Sequence, residues 1–176
     1  MQIITEETAI KDVKIVIPEY FSDDRGFFME TFRKDQFENL GIPSQFVQDN
    51  HSGSVQGVLR GLHFQWEPPM GKLIWVSKGE GFLVAVDVRK GPPTLGKHVS
   101  IISSERNQKR LWAPAGFARG FLALSKWCEL QYKCTGIYNR NCEGNILWND
   151  PEIGIVWPFS DPILSERDMS LGSCLL

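Results

Sequence analysis

Short runs of β-branched and aromatic residues, parted by Gly, Pro, Asn or Ser, recur along most of the chain. Residues 58–65, 72–78, 82–88, 98–103, 110–112, 121–125 and 129–135 each read as a strand. Helical periodicity is thin. Residues 31–40 (TFRKDQFENL), stopped by Gly41 and Pro43, predict a short helix, and a further turn is expected from Ser165 onward. The runs 72–78 and 82–88 are joined by Gly79-Glu80-Gly81, whose glycines are free to take positive φ, and this predicts a hairpin. Many short strands with turns between them predict an all-β sandwich or barrel, such as a jelly roll. No repeat, low-complexity segment or linker divides the chain, which reads as one domain over residues 1–176.

Some strands are apolar in both phases. Phe82, Val84, Val86 and Val88 occupy one phase, Leu83 and Ala85 the other. Such a strand is covered on both faces, by a core on one side and by a partner or an apolar ligand cavity on the other. A homodimer is expected on this ground.

Composition narrows the class. Nineteen basic and 21 acidic residues, well mixed, give a net charge of −2. No basic block is present, so a nucleic-acid partner is not expected. The first residues, MQIITEETAIKDVKIVI, lack a signal pattern, and no apolar run reaches the roughly 18 residues of a membrane span. Cys128, Cys134, Cys142 and Cys174 form no C-x-x-C pair, and the only histidines are His51, His63 and His98. The cysteines read as reduced thiols of a cytoplasmic protein rather than as zinc ligands.

The segment 57–65, GVLRGLHFQ, sets Arg60 and His63 inside an otherwise apolar strand, and Lys72 opens the next one. Polar groups in strands are costly unless they are paired or face a wet cavity. Like charge from Arg60 and Lys72 favours the neutral, proton-accepting imidazole, and an acid on its other ring nitrogen would orient it. Arg60 and His63 have opposite parity, so a regular strand would point them to opposite faces. A bulge at Gly61 would bring both inward.

Eight segments in order carry a resemblance: DDRGFFMETF (23–32), FVQDNHS (46–52), GVLRGLHFQ (57–65), GKLIWVSKGE (71–80), VAVDVRKGPPTLGK (84–97), APAGFARGFLALS (113–125), YKCTGIY (132–138) and LSERD (164–168). In order and spacing the chain resembles the dTDP-4-dehydrorhamnose 3,5-epimerase family. The resemblance implies a cupin-type jelly-roll β-sandwich with few short helices, a homodimer, and no metal or other cofactor. The residues agree on the last point, since His63 is followed by Phe64 and Gln65 rather than by the H-x-H of a metal-binding cupin.

By that resemblance the substrate is a nucleotide-linked 4-keto-6-deoxyhexose, with dTDP-4-dehydro-6-deoxy-D-glucose converted to dTDP-4-dehydro-L-rhamnose. The ketone acidifies the hydrogens on C3 and C5. Inversion then needs a base on one face, an acid on the other and a cation at the enolate oxygen. The resemblance makes His63 the base, Asp168 the acid that orients it, Lys72 the cation and Tyr132 the proton donor. It places Arg25, Glu30, Gln48, Asn50, Arg60, Arg119, Tyr138, Glu143 and Arg167 in contact with nucleotide, diphosphate or sugar. The N-terminal residues among these would reach the site across the dimer interface.

Arg119 departs from the pattern, because GFARGF stands where the family usually has GFAHGF. An arginine at the substrate is longer than histidine and always charged. Phe64 stands where a tyrosine is common. Two alternatives stay open at this point: an epimerase that inverts a single carbon of another deoxysugar nucleotide, and a sugar-nucleotide binding module without catalysis.

Overall fold

The computed structural model describes residues 1–91 and 93–169. Cys174 lies outside them. The elements in chain order are β1 (Ile3–Glu7), β2 (Lys14–Pro18), β3 (Tyr20–Asp23), β4 (Gly26–Met29), α1 (Lys34–Asn39), β5 (Gln48–Val55) and β6 (Leu59–Gln65). There follow β7 (Lys72–Lys78), β8 (Glu80–Asp87), β9 (His98–Ser104), β10 (Arg110–Ala113), β11 (Phe117–Ala123), β12 (Trp127–Cys134), β13 (Glu143–Asn145) and α2 (Glu166–Met169). One antiparallel sheet runs β1-β2-β10-β7-β12-β5, and a second runs β13-β6-β11-β8-β9. The two pack face to face as a jelly-roll sandwich, with β3 and β4 as a separate hairpin.

Strand alternation sorts the side chains. Ile74, Val76, Leu111 and Leu130 from the first sheet meet Leu83, Ala85, Phe117 and Phe121 from the second in one buried core. Full burial of such side chains contributes roughly 1.5–3 kcal/mol each. On the outer face of the first sheet, Leu73, Trp75 and Trp112 pack under Phe37 of α1 and Ile42. Over the second sheet, Ile146, Ile153 and Trp157 cover Leu62, Val84, Val86 and Ala118. The second cover on β8, expected from a partner or a cavity, is therefore the chain's own segment after β13.

The expected hairpin between β7 and β8 does not form. β7 pairs with β10 and β12, whereas β8 pairs with β11 and β9. Both hydrogen-bonding edges of each strand are thus occupied by other strands. Gly79, at φ 78°, turns the chain from one sheet into the other. A Cβ there would sit 2.2 Å from Ser125 Oγ and 2.3 Å from the Trp127 carbonyl, which leaves room only for glycine.

Candidate active site

A cavity of about 320 Å³ opens between the sheets, lined by Arg60, His63, Lys72, Arg119, Tyr132 and Asp168, with Ile74, Phe121 and Leu130 as apolar walls. Its two sides come from different sheets. β6 and β11 supply Arg60, His63 and Arg119, while β7 and β12 supply Lys72 and Tyr132.

Gly61 resolves the parity conflict in β6. Arg60 sits opposite Phe121 and His63 opposite Arg119, so the register shifts by one residue between them. Gly61 takes φ 127°, a conformation closed to other residues without strain. The bulge turns Leu62 outward into the packing over the second sheet and leaves both Arg60 and His63 on the cavity.

His63 Nε2 lies 2.6 Å from Asp168 Oδ1. A carboxylate only accepts, so Nε2 carries the hydrogen and Nδ1 is left as the proton acceptor. Asp168 is buried, and its backbone is set by a helix start. Ser165 Oγ accepts from the Asp168 N–H at 3.2 Å and donates to Asp168 Oδ2 at 2.6 Å. The Gly61 N–H also donates to Asp168 Oδ1, at 3.2 Å. Burial pushes this carboxyl up, but the hydrogen bonds from His63 and Ser165 outweigh it and hold it below its usual range. Ser165 was not singled out from sequence, although its place three residues before Asp168 is the spacing of a capping box.

Lys72 Nζ stands 5.3 Å from the centroid of the Tyr132 ring. Burial and the charge of Arg119 lower the Lys72 pKa. Burial raises that of Tyr132, with Cys134 adding to the rise and Arg60 opposing it, so the phenol keeps its proton. Arg60 donates from Nε to Ser54 Oγ at 3.2 Å.

At the rim, Glu143 Oε2 accepts from Tyr138 Oη at 2.6 Å and pairs with Arg167 at 2.6 Å. Gln48 Nε2 donates to Asn50 Oδ1 at 3.1 Å, and Gln48 Oε1 accepts from the Tyr138 N–H at 2.8 Å. Gln48 and Asn50 pair with Cys134 and Tyr132 across β5 and β12. Arg119 lines the cavity, yet its Nη atoms are spent on backbone carbonyls.

Arg25 and Glu30 are not brought to this cavity. Arg25 lies at the tip of the β3–β4 hairpin, 90% exposed and paired with Asp23. Glu30 is near Arg33 at 3.7 Å and the N-terminal amine at 3.9 Å. Among the described residues no group of three or more His, Cys, Asp or Glu is arranged to hold a metal ion.

The dTDP-4-dehydrorhamnose 3,5-epimerase family matches residues 7–174. The chain belongs to the dTDP-4-dehydrorhamnose 3,5-epimerase family. It is 52% identical over 168 residues to the dTDP-4-dehydrorhamnose 3,5-epimerase of Salmonella typhimurium, covering 94% of this chain and 92% of that one. It is 50% identical over 165 residues to the Neisseria gonorrhoeae dTDP-4-dehydrorhamnose 3,5-epimerase, and there the match spans 93% of this chain but about half (50%) of the relative's length. The dTDP-6-deoxy-D-glucose-3,5-epimerase of Legionella pneumophila, solved in complex with dTDP-4-keto-L-rhamnose, superposes with a TM-score of 0.92 at 44% identity, covering 95% of this chain and 90% of that one. These epimerases are isomerases acting on carbohydrates. The all-β jelly roll expected from the sequence is the fold of this epimerase family.

Proposed function

We propose that this chain epimerises C3 and C5 of dTDP-4-dehydro-6-deoxy-D-glucose to give dTDP-4-dehydro-L-rhamnose. His63 Nδ1 removes the hydrogen next to the C4 ketone as a proton. The bonding pair left behind becomes an enolate on the C4 oxygen, beside the Lys72 ammonium. Tyr132 returns a proton to the carbon from the opposite face, which inverts the centre. Exchange with solvent takes the proton off His63 and restores the one on Tyr132, and the same cycle at the second carbon completes the conversion. Asp168 stabilises the imidazolium formed when His63 takes its proton. Lys72 offsets charge where charge develops, in a cavity whose apolar walls strengthen the interaction.

The observation that carries this reading is the opposition of His63 and Tyr132. They face one cavity from two different sheets, with Lys72 next to the tyrosine. Inversion needs a base and an acid on opposite faces of a planar carbon, and this arrangement supports it. Gln48, Asn50, Arg60, Tyr138, Glu143 and Arg167 would hold nucleotide, diphosphate and sugar at the cavity and its rim.

The chain works as a single domain and as a homodimer in the cytoplasm. The β3–β4 hairpin supports the dimer: Phe21, Phe27 and Phe28 are 59%, 65% and 68% exposed, an apolar surface with Arg25 at its tip. In this reading the hairpin lies against the partner and carries Arg25 and Glu30 to the partner's cavity. The cytoplasmic assignment rests on Cys128, Cys134 and Cys142, which are free thiols. No helix among the described residues is long and apolar enough to cross a membrane.

The direct test is turnover of dTDP-4-dehydro-6-deoxy-D-glucose, with the product trapped by a reductase specific for the L-rhamno sugar. Trapped product supports the reading. A substrate returned unchanged at millimolar enzyme would remove it.

A further inference from the structure

Arg119 is a buried cation, and among the described residues no carboxylate pairs with it. It is 7% exposed, and Nη1 donates to the Phe117 carbonyl at 2.7 Å. Nη2 reaches the carbonyls of Pro114 at 2.6 Å, Ala113 at 2.7 Å and Met70 at 3.0 Å. Burying a guanidinium without a counter-ion is costly, and burial lowers its pKa to about 10.

The four carbonyls are not scattered. Ala113 is the β10 residue directly opposite Lys72 of β7, and Met70 lies two residues before Lys72. Arg119 itself stands opposite His63 across β11 and β6. One side chain therefore ties the backbone facing His63, in the second sheet, to the backbone that launches Lys72, in the first.

We infer that Arg119 is a positioning residue, an inter-sheet clamp that fixes Lys72 relative to His63 and lays a positive charge at the cavity wall without touching the substrate. The part of this inference that concerns turnover rests on the epimerase reading. The charge coupling does not, because it is a property of the free protein.

Lys72 is packed among charges from several elements. Arg119 from β11 and Arg167 from α2 disfavour its protonated form, while Cys134 from β12 and Glu143 from β13 favour it. Arg60 and His63 from β6, Tyr132 from β12 and Asp168 from α2 line the same cavity. β10 and β5 bring Ala113, Asn50 and Ser52, none of them charged. Of the cations, Arg119 acts most strongly on Lys72. Removing it should leave Lys72 easier to protonate.

The test uses the full chain, reductively methylated with ¹³C-formaldehyde so that each lysine gives an NMR signal. Lys72 is assigned by its loss in Lys72→Met. In Arg119→Gln the Lys72 titration should move up by about 1 pH unit, the scale of one nearby like charge removed. Arg119→Lys keeps the charge and loses the fork, so its Lys72 titration should match the parent. Its kcat should nevertheless fall by about 10²-fold with KM little changed, as misplacement of a catalytic group does. An unshifted Lys72 titration in a folded Arg119→Gln variant overturns the charge coupling. Parent-like kcat in Arg119→Lys overturns the clamp. A parent enzyme that turns nothing over would sink the epimerase reading instead, and the titration would still decide on the charge.

Discussion

His63 Nε2 and Asp168 Oδ1 lie 2.6 Å apart although 105 residues separate them in the chain. The contact joins a bulged strand to a short helix near the end of the described chain. The acid is 5% exposed and is held by Ser165 and the Gly61 N–H besides the imidazole. The bulge that admits His63 to the cavity thus also supplies a hydrogen bond to its partner.

Asp168→Asn should keep the shape and lose the charge that stabilises a protonated imidazole. We expect kcat to fall about 10²-fold or more. The native carboxyl is held below its usual pKa, so its contribution to stability is present above the unfolded value, about 3.9. That contribution is lost as pH falls through the folded value. The Tm difference between parent and variant should therefore be open at pH 7 and narrow below pH ~4. A constant difference across that range would detach the carboxylate charge from stability.

Replacing the base itself is simpler to read. His63→Ala should lose the ~10²–10⁴-fold that a positioned general base supplies, with exchange at both carbons falling together. Turnover near that of the parent would mean that another group takes the proton.

Tyr132→Phe separates the two halves of the reaction. Proton removal should continue, seen as deuterium entering the substrate, while inversion at one centre at least is blocked. Parent-like inversion would take Tyr132 out of the scheme.

Lys72 gives the alkaline limb. Its pKa lies below that of an ordinary lysine, and only the protonated form carries charge to the enolate oxygen. Activity should therefore fall as pH rises, with a midpoint below the usual ~10.4. The limb should disappear in Lys72→Met, together with most of the activity. A limb that survives in Lys72→Met would belong to another group.

The bulge can be tested without touching a polar residue. At Gly61 a Cβ would stand 2.6 Å from the Arg119 carbonyl and 2.8 Å from Gly120 Cα, at φ 127°. Gly61→Ala should cost roughly 2–3 kcal/mol of stability and shift His63 off Asp168. A variant with parent Tm and parent kcat would show that the backbone there yields at little cost.

What could be read from the sequence was set by how each strand meets its neighbours. β7, apolar on both faces and flanked by glycines, has the bounds expected, residues 72–78. β5 was missed because QDNHSGSV carries little apolar signal. Its inward residues Gln48, Asn50, Ser52 and Ser54 face β12 across a full register of pairs, and that pairing alone makes it a strand. β11 begins at Phe117, not at 121, because β8 and β6 on its two sides hold Arg119 and Gly120 in strand geometry against their local preference. The hairpin expected at Gly79 failed for a related reason, as a positive-φ glycine fits a sheet-to-sheet turn as well as a hairpin.

In the site, the polar residues set in apolar strands could be read, because an unpaired Arg or His there needs a cavity. The setting of Arg119 could not, since its four carbonyl partners come together only in the fold. That Arg25 and Glu30 stand away from their own cavity follows from no pattern of residues, and only the family resemblance, which carries the N-terminal residues across a dimer interface, implied it.

Proton exchange at the carbons flanking a 4-keto group is read by proton NMR of dTDP-4-dehydro-6-deoxy-D-glucose with the enzyme in D₂O. The C3 and C5 signals should be lost with the parent enzyme and both retained with His63→Ala. Retention of both with the parent enzyme would rule the epimerase reading out.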